Sequence, residues 1–177
     1  MQKIKDFLKL LVLFAGMFVV LIFLARFTET DLSGSAKVVD GDSLHLGGEE
    51  IRLFGIDAPE YNQRCMLEKP DQTYACGKRA RDYLKSLVAG QTVVCSGFER
   101  DRYDRLLAEC HANGQSLNLA MIEAGWAVSF GDYYAAESRA RDAAAGIWAG
   151  SFDSPAEWRK DAREAHSRGF ISSLFRW

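Results

Sequence analysis

The feature that most constrains this chain is an uncharged apolar run near its N-terminus. The run extends over sixteen residues from Leu10 to Ala25 without a charge or a proline, and lysines at positions 3, 5 and 9 precede it. A spanning helix needs about 20 mostly apolar residues and tolerates lysine or arginine at its ends. We therefore predict an N-terminal membrane anchor over residues 1–27, a single-pass transmembrane helix whose N-terminus is cytoplasmic by the positive-inside tendency.

Two other interpretations of this run are open. A cleaved signal peptide would also export the body of the chain, but bulky Arg26 and Phe27 follow Ala25 where a small-residue cleavage site would be expected. A buried core helix is disfavoured because the run is long and apolar on all faces. Anchor and signal peptide both place the body outside the cytoplasm, on the periplasmic or extracellular face.

The body of the chain is mildly acidic. The sequence has 22 basic and 24 acidic residues, of which four basic and one acidic lie in residues 1–27, leaving 18 and 23 in residues 28–177, a net charge of −5. Broad coating of duplexes relies on many contacts of lysine and arginine with phosphate. Any function on nucleic acid must therefore come from a few placed cations.

The body holds four cysteines, Cys65, Cys76, Cys95 and Cys110. An even number in an exported domain predicts disulfides, with three possible pairings. The pattern of residues 92–111 predicts a hairpin that places Cys95 opposite Cys110, within disulfide reach, so that Cys65 and Cys76 close a second loop. A zinc site is the alternative, but no pair has the close spacing that zinc sites favour.

The body separates into a polar linker over residues 28–34, one domain over 35–150 and a C-terminal helical extension over 151–177. The residue patterns predict strands over 35–40, 43–46, 49–56, 92–99 and 105–111, a loop over 61–76, and helices over 78–88, 116–124, 132–146 and 155–166. Gly47-Gly48 predicts a hairpin turn, Ser116 a helix cap and Ser154–Glu157 a capping box. In the strand over 49–56, Ile51 and Leu53 alternate with Arg52 and Phe54. Short strands followed by helices predict an α+β, mainly β fold: a small closed antiparallel barrel with packed helices.

Three segments carry residues suited to metal and phosphate chemistry, namely 38–43 (VVDGDS), 51–60 (IRLFGIDAPE) and 101–105 (DRYDR). If the first two strands are neighbours, Asp42 and Asp57 converge at one end of the barrel. Two carboxylates with a backbone carbonyl and waters suit calcium or magnesium.

Charged residues beside these aspartates complete the pattern. Arg52 and Arg105 offer planar forks for phosphate oxygens, and Glu60 could orient or deprotonate a water. Each feature alone has a simpler explanation, since Asp40-Gly41-Asp42 resembles a plain turn and Arg105 a solvated hairpin residue. Their joint occurrence, in this order, indicates a functional site.

The three segments resemble the staphylococcal nuclease (thermonuclease) family in order and approximate spacing, and Gly-Ile-Trp at 146–148 matches the end of that domain's last helix. The resemblance covers about residues 35–150. It implies an OB-fold, a five-stranded β-barrel with helices, and calcium-dependent hydrolysis of phosphodiesters in DNA, RNA or both.

The resemblance also implies roles for individual residues. By it, Asp42, Asp57 and the main-chain carbonyl of Ala58 are Ca²⁺ ligands, and Asp40 supports them. Arg52 and Arg105 bind the phosphate, and Glu60 is a general base or orients water; these three are the catalytic residues. Arg102 and Tyr103 touch the terminal phosphate of a bound nucleotide. Asp104 departs from the family's usual glycine, and Phe130, Tyr133 and Tyr134 are loose matches to its base-stacking aromatic residues.

We therefore expect a monomeric, membrane-anchored nuclease that acts outside the cytoplasm and favours single strands, whose exposed bases can stack. Two alternatives remain at this point. OB barrels often bind oligonucleotides without cutting them, although a module that only binds would be expected to lose part of the charged set. A structural envelope protein would show neither nuclease activity nor metal-dependent stability.

Overall fold

The computed structural model describes residues 2–25, 30–68 and 72–174. The ends of the predicted anchor (residues 1, 26 and 27), linker (28 and 29) and extension (175–177), with residues 69–71 of the predicted loop, lie outside the described residues. The described ranges contain five α-helices: α1 (Gln2–Ala25), α2 (Cys76–Val88), α3 (Leu117–Glu123), α4 (Tyr134–Asp142) and α5 (Pro155–Leu174). A short 3-10 helix covers Gly146–Ala149.

The strands are mostly short. They are β1 (Thr30–Gly34), β2 (Lys37–Val38), β3 (Ser43–Leu46), β4 (Glu49–Leu53), β5 (Ile56–Asp57), β6 (Cys65–Leu67), β7 (Thr73–Tyr74), β8 (Val93–Arg100), β9 (Leu106–Ala112), β10 (Gln115–Ser116), β11 (Val128–Ser129) and β12 (Gly150–Ser151). The α+β class predicted from the sequence is confirmed.

One seven-stranded sheet carries the fold. Its strand order is β1-β8-β9-β4-β3-β2, with β10 attached to β9. Neighbours are antiparallel except β4 and β9, which pair in parallel with Arg52 opposite Leu107. This register brings Arg105, the residue before β9, beside the strand that carries Arg52.

The sheet curls into a half-barrel consistent with an OB-like fold. Its end strands β1 and β2 follow one another with only two residues between them, and in the described part of the chain they are not paired with each other. The predicted five-stranded barrel is therefore confirmed only as a curled, seven-stranded half-barrel. Residues 30–34, assigned to a linker from their polarity, form β1 and pair with β8. Their side chains alternate between half-buried and exposed, a pattern that polar residues satisfy at a sheet edge.

Alternation along the strands builds the core. In β4, Ile51 and Leu53 are buried while Arg52 between them is only partly covered, because successive side chains point to opposite faces of a sheet. The buried face packs against α2 and α3 through residues such as Leu84 and Met121. The same alternation that fills the core therefore directs Arg52 away from it.

Both predicted disulfides are present. Cys95 lies directly opposite Cys110 in the hairpin formed by β8 and β9, as predicted from the turn position. Cys65 pairs with Cys76 and joins β6 to the first residue of α2. The segment predicted as a loop over 61–76 thus contains β6 and β7, which pair with each other.

The apolar N-terminal run lies in α1, so its helical conformation is confirmed. Side chains described along this helix, such as Leu13 and Phe18, are exposed. Within residues 2–25, 30–68 and 72–174, no helix is both long enough and apolar enough to cross a membrane. The predicted transmembrane helix is therefore not confirmed.

Candidate active site

The residues predicted to carry the chemistry lie along one groove of about 550 Å³. Its lining includes most of the charged residues singled out in the sequence, together with Ala58, two aromatic residues and two arginines of α5: Asp40, Asp42, Arg52, Ala58, Glu60, Arg102, Tyr103, Arg105, Phe130, Arg159 and Arg163. We call the part formed by Asp42, Arg52, Asp57, Glu60 and Arg159 the acid end, and the part formed by residues 101–105 the hairpin end.

Arg52 joins the two aspartates of the acid end. Its Nη2 donates to Asp57 Oδ1 at 2.6 Å and lies 3.1 Å from Asp42 Oδ2. Both aspartates are buried, at 3% and 5% exposure. Because one nitrogen contacts both carboxylates, the side chains of Asp42 and Asp57 lie close together. Asp42 is in the turn before β3, and Asp57 is in β5.

The turn before β3 holds Asp42 in place. Ser43 Oγ donates to Asp42 Oδ1 at 2.9 Å, and the backbone N–H of Ala58 donates to Asp42 Oδ2 at 3.1 Å. Asp40 accepts from the backbone N–H groups of Gly41, at 2.8 Å, and Tyr61, at 3.2 Å. These bonds tie the turn to the chain segment after β5, so Asp40 supports the acid end as expected.

Glu60 is positioned by two residues with no motif of their own. The buried side chain of Gln63 accepts from the Glu60 N–H at 3.2 Å, and the Gln63 N–H donates to the Glu60 carbonyl at 2.7 Å. A Cβ at Gly77 would stand 1.7 Å from that same carbonyl oxygen. Only a glycine there lets the start of α2 approach this turn.

Arg159 of α5 completes the acid end and was missed by the sequence analysis. Its guanidinium contacts Asp57 Oδ1 at 2.9 Å, Asp57 Oδ2 at 2.8 Å and Glu60 Oε1 at 2.9 Å. It belongs to the extension, where no motif signals a functional arginine. The hydrogen bonds that it donates to Asp57 and Glu60 raise its pKa above the ordinary value, although burial opposes them.

The contacts at the start of the extension explain why Arg159 reaches this position. β12 pairs with β6, and Gln63 Nε2 donates to the Asp153 carbonyl at 2.7 Å. The predicted capping box at the start of α5 is present: Ser154 Oγ accepts from the Glu157 N–H at 3.2 Å, and the Glu157 carboxylate accepts from the Ser154 N–H at 3.0 Å. The first turns of α5 are therefore fixed beside the segment that carries Glu60.

The hairpin end is organised by Asp101. Its carboxylate accepts from Arg105 Nε at 2.8 Å and Nη2 at 2.6 Å, and also from the backbone N–H groups of Tyr103 and Arg105. Asp104 adopts a left-handed backbone with φ of 67°. The turn thus forms without the glycine that the family usually has there, since aspartate tolerates this conformation better than most residues.

Aromatic residues near the groove differ in exposure and place. Tyr103 stacks under the guanidinium groups of Arg102 and Arg105 and is 65% exposed. Phe130 lines the groove and is 70% exposed. Tyr133 lines a different cavity, of about 360 Å³. Of the three loose matches to base-stacking residues, the structure brings Phe130 to the groove and Tyr133 elsewhere.

The two ends of the groove shift acid pKa values in opposite directions. Burial raises the pKa of Asp40 to about 6, against the hydrogen bonds that it accepts. Burial also raises the pKa of Asp42, which the nearby Arg52 opposes. At the hairpin end, burial would raise the pKa of Asp101, but the hydrogen bonds from Arg105 and neighbouring backbone outweigh it and lower the pKa.

The oxygen donors of the acid end match the chemistry of a hard divalent cation. Asp42 and Asp57 are two adjoining carboxylates, and calcium binds carboxylate and carbonyl oxygens. Among the described residues, no group of three or more histidine, cysteine, aspartate or glutamate side chains that could hold a metal ion is found. The carboxylate oxygens of Asp42 and Asp57 therefore fit a divalent cation. The other charged groups that contact Asp57 are guanidinium groups, not carboxylates.

The structure brings Asp42, Arg52, Glu60 and Arg105 to one groove, and Asp57 contacts Arg52 there. Their roles in catalysis or metal binding stay predictions. Gln63, Asp101 and Arg159 are the residues that the sequence analysis missed. Asp101 could have been found, because an aspartate four residues before an arginine in a hairpin turn is a natural partner for it; no signal pointed to the other two.

Comparison with known proteins supports the resemblance to the staphylococcal nuclease family that the sequence motifs indicate. A family model described as "Staphylococcal nuclease homologue" matches residues 50–150. The chain is 38% identical over 122 residues to the succinoglycan biosynthesis protein ExoI of Rhizobium meliloti, covering 65% of this chain and 63% of that protein. It is 35% identical over 123 residues to an uncharacterized endonuclease of Escherichia coli O157:H7, covering 63% of this chain and 73% of that protein.

A plant relative extends the likeness. The probable staphylococcal-like nuclease CAN4 of Oryza sativa is 32% identical over 152 residues, covering 78% of this chain and 28% of that protein. The chain thus spans less than two thirds of the length of several relatives that it matches. The family model spans more than half of the chain and includes Arg52, Asp57, Glu60 and Arg105. The chain belongs to the staphylococcal nuclease homologue family.

Proposed function

We propose that this protein is a nuclease that hydrolyses phosphodiester bonds of DNA or RNA with the help of a divalent cation, calcium by preference. The observation that carries the proposal is the gathering of Arg52, Glu60 and Arg105 along one groove with the two carboxylates of Asp42 and Asp57. Relatives named as endonucleases and staphylococcal-like nucleases support it.

The two arginines of the groove suit a phosphodiester. Arg52 is at the acid end and Arg105 at the hairpin end, and each guanidinium is already oriented by a carboxylate. A planar fork can donate two hydrogen bonds to phosphate oxygens. A cation held by Asp42 and Asp57 would add a concentrated positive charge for the developing negative charge of the transition state.

Glu60 is the candidate for activating water. Its carboxylate is about one-third exposed and faces the groove, so water can reach it. It would accept the proton of the attacking water as the new phosphorus–oxygen bond forms and the bond to the leaving oxygen breaks. The leaving oxygen would take its proton from solvent.

Location and substrate follow from other features. Two disulfides favour an oxidising compartment outside the cytoplasm. Exposed Tyr103 and Phe130 beside the groove favour single strands, since unpaired bases can stack on aromatic rings. Tethering to a membrane is part of the proposal on the strength of the uncharged run from Leu10 to Ala25, and recovery of the chain in the soluble fraction of cells would contradict it.

A digestion assay with matched variants tests the activity. The purified chain is incubated with single-stranded DNA, duplex DNA and RNA, in calcium and in chelator. We expect calcium-dependent cutting that is fastest on single strands and slowed by orders of magnitude in Glu60→Gln. Glu123→Gln, the same change on an exposed part of α3, is the control and should cut normally. Full activity of Glu60→Gln in calcium would refute the mechanism.

A second candidate is a module that binds oligonucleotides without cutting them. The ion pairs of Arg159 with Asp57 and Glu60 favour it, because they satisfy the carboxylates that hydrolysis would use. The same assay separates the two functions: retention of labelled oligonucleotides without any product, in calcium, would support binding alone.

A further inference from the structure

Arg159 contacts two residues that the proposed function assigns to the cation and to water. It holds both oxygens of Asp57, at 2.8 and 2.9 Å, and one oxygen of Glu60, at 2.9 Å. The Asp57 side chain is almost completely buried, while that of Arg159 is one-third exposed. A guanidinium therefore covers the solvent side of a buried carboxylate.

We propose that Arg159 is a further active-site residue that competes with the divalent cation, so that its guanidinium and the cation engage Asp57 and Glu60 alternately. This inference rests on the proposed function, because it takes Asp57 as a cation ligand. It gives the C-terminal extension a part in the reaction. Without a cation, Arg159 of helix α5 occupies the carboxylates that the cation would engage.

The balance of charge supports exchange over joint occupancy. In the structure, the carboxylates of Asp42, Asp57 and Glu60 face two guanidinium groups, Arg52 and Arg159. Exchange of one guanidinium for a divalent cation brings this group of charges to neutrality. Keeping Arg159 in place together with the cation would leave an excess positive charge in a partly desolvated site, where like charges repel strongly.

The anchoring of α5 shows how the exchange can occur without unfolding. The strand pair β6–β12 and the bond from Gln63 to Asp153 fix the start of the helix, and Arg159 lies in its first two turns. The side chain can therefore leave while the helix stays in place. Arg163, one turn further along, lines the same groove, so a released Arg159 remains near the path of a bound phosphate.

Calorimetric titration of calcium into the full chain tests the inference in the absence of nucleic acid. We expect Arg159→Gln to bind calcium at least tenfold more tightly than the unaltered chain. Lys160→Gln is the matched control: it removes one positive charge from the next position of α5, at an exposed side chain, and should change affinity less than twofold. Unchanged or weaker binding by Arg159→Gln would overturn the proposal.

A second readout follows Arg159 itself. In NMR spectra of the cation-free chain, the Nη–H signals of Arg159, which donate to Asp57 and Glu60, should be protected from solvent exchange, and calcium should remove that protection. Persistence of the protection at saturating calcium would also overturn the proposal, even if Arg159→Gln were poorly folded.

The nuclease assay separates this inference from the proposed function. If calcium displaces Arg159 but no substrate is cut, the competition stands and the nuclease function fails. If the chain cuts in calcium while Arg159→Gln and Lys160→Gln bind calcium equally, the function stands and the competition fails. If neither the unaltered chain nor Arg159→Gln binds calcium, both fail.

Discussion

The acid end and the hairpin end of the groove hold their charges in different ways. At the acid end, Asp42, Arg52 and Asp57 lie on different elements, Arg159 comes from a helix about a hundred residues further on, and the two aspartates are buried. At the hairpin end, Asp101 holds Arg105 within a single turn of five residues, where Tyr103 is well exposed. One end depends on the whole fold, and the other on local structure.

This difference predicts how each end responds to change. Removing a charge from the acid end leaves a buried partner uncompensated, which is costly. Removing one from the hairpin end loses an ion pair that is partly covered and lies within one turn, and the loss should be smaller, about 1 kcal/mol. Substitutions at the acid end should therefore lower both stability and activity, whereas a substitution at the hairpin end should lower one without the other.

The largest effect is expected for Arg52→Gln. This change strips buried Asp42 and Asp57 of a shared partner, so the free energy of unfolding should fall by about 3 kcal/mol. Hydrolysis should slow by about 1000-fold, since a phosphate-binding group is lost as well. Urea denaturation and the digestion assay measure the two. Arg102→Gln is the control at the hairpin end, with a stability change within about 0.5 kcal/mol. Equal losses of stability in Arg52→Gln and Arg102→Gln would contradict the difference between the two ends.

Removing the hairpin disulfide should affect stability alone. Cys95 and Cys110 are 15 residues apart, and replacing both by alanine should lower the free energy of unfolding by about 3 kcal/mol. Folded molecules should still cut at the normal rate, because Asp101 orients Arg105 locally. Replacing Cys65 and Cys76 should lower both stability and activity, since Cys76 begins α2 and the next residue, Gly77, packs against the backbone of Glu60. Equal activity of the two double variants would contradict this.

Arg105→Lys should affect activity alone. Lysine keeps the charge but loses the planar fork, so we expect hydrolysis to slow by about 100-fold while the free energy of unfolding changes by less than about 1 kcal/mol. Arg100→Lys, on the same hairpin and paired with Glu49, is the control and should cut normally. A rate for Arg105→Lys close to that of Arg100→Lys would remove Arg105 from the mechanism.

The smallest effect concerns pH. The folded-state pKa of Asp40 is raised from 3.8 to about 6, so the folded state binds its proton more tightly and stability falls as pH rises through that window. Because solvent screens this partly exposed group, we expect a fall of about 1 kcal/mol, less than the full shift would give. The pKa of Asp101 is lowered, so its contribution is present above the unfolded pKa and is lost as pH falls. NMR titration of the carboxyl carbons in chelator checks both pKa shifts. In Asp40→Asn, stability should fall less steeply as the pH rises. Titration of both groups at one pH would contradict the comparison.

Local patterns predicted most of the elements. The Gly47-Gly48 turn between β3 and β4, the capping residues Ser116 and Ser154, and the register that pairs Cys95 with Cys110 all depend on residues close in sequence. Alternation along β4 also indicated which side Arg52 faces. These predictions succeeded because turns, caps and strand pleats are decided by neighbouring residues.

Predictions that depended on distant partners were less successful. The polar segment at residues 30–34 is a strand because β8 offers it an edge, and β6, inside the predicted loop, is a strand that pairs with β12 of the extension. Neither fact has a local signal. Polar composition indicates exposure to solvent, but it does not distinguish a linker from an edge strand.

The sequence by itself determined the set of charged residues, their order and the family to which they belong. Only the tertiary structure decided that Arg159, about a hundred residues from Asp57 and Glu60, would share their site, and that Gln63 and Gly77 would position Glu60. The physical reason is that a buried carboxylate takes whichever cation the packing brings to it, and packing between distant segments leaves no periodic trace in the chain.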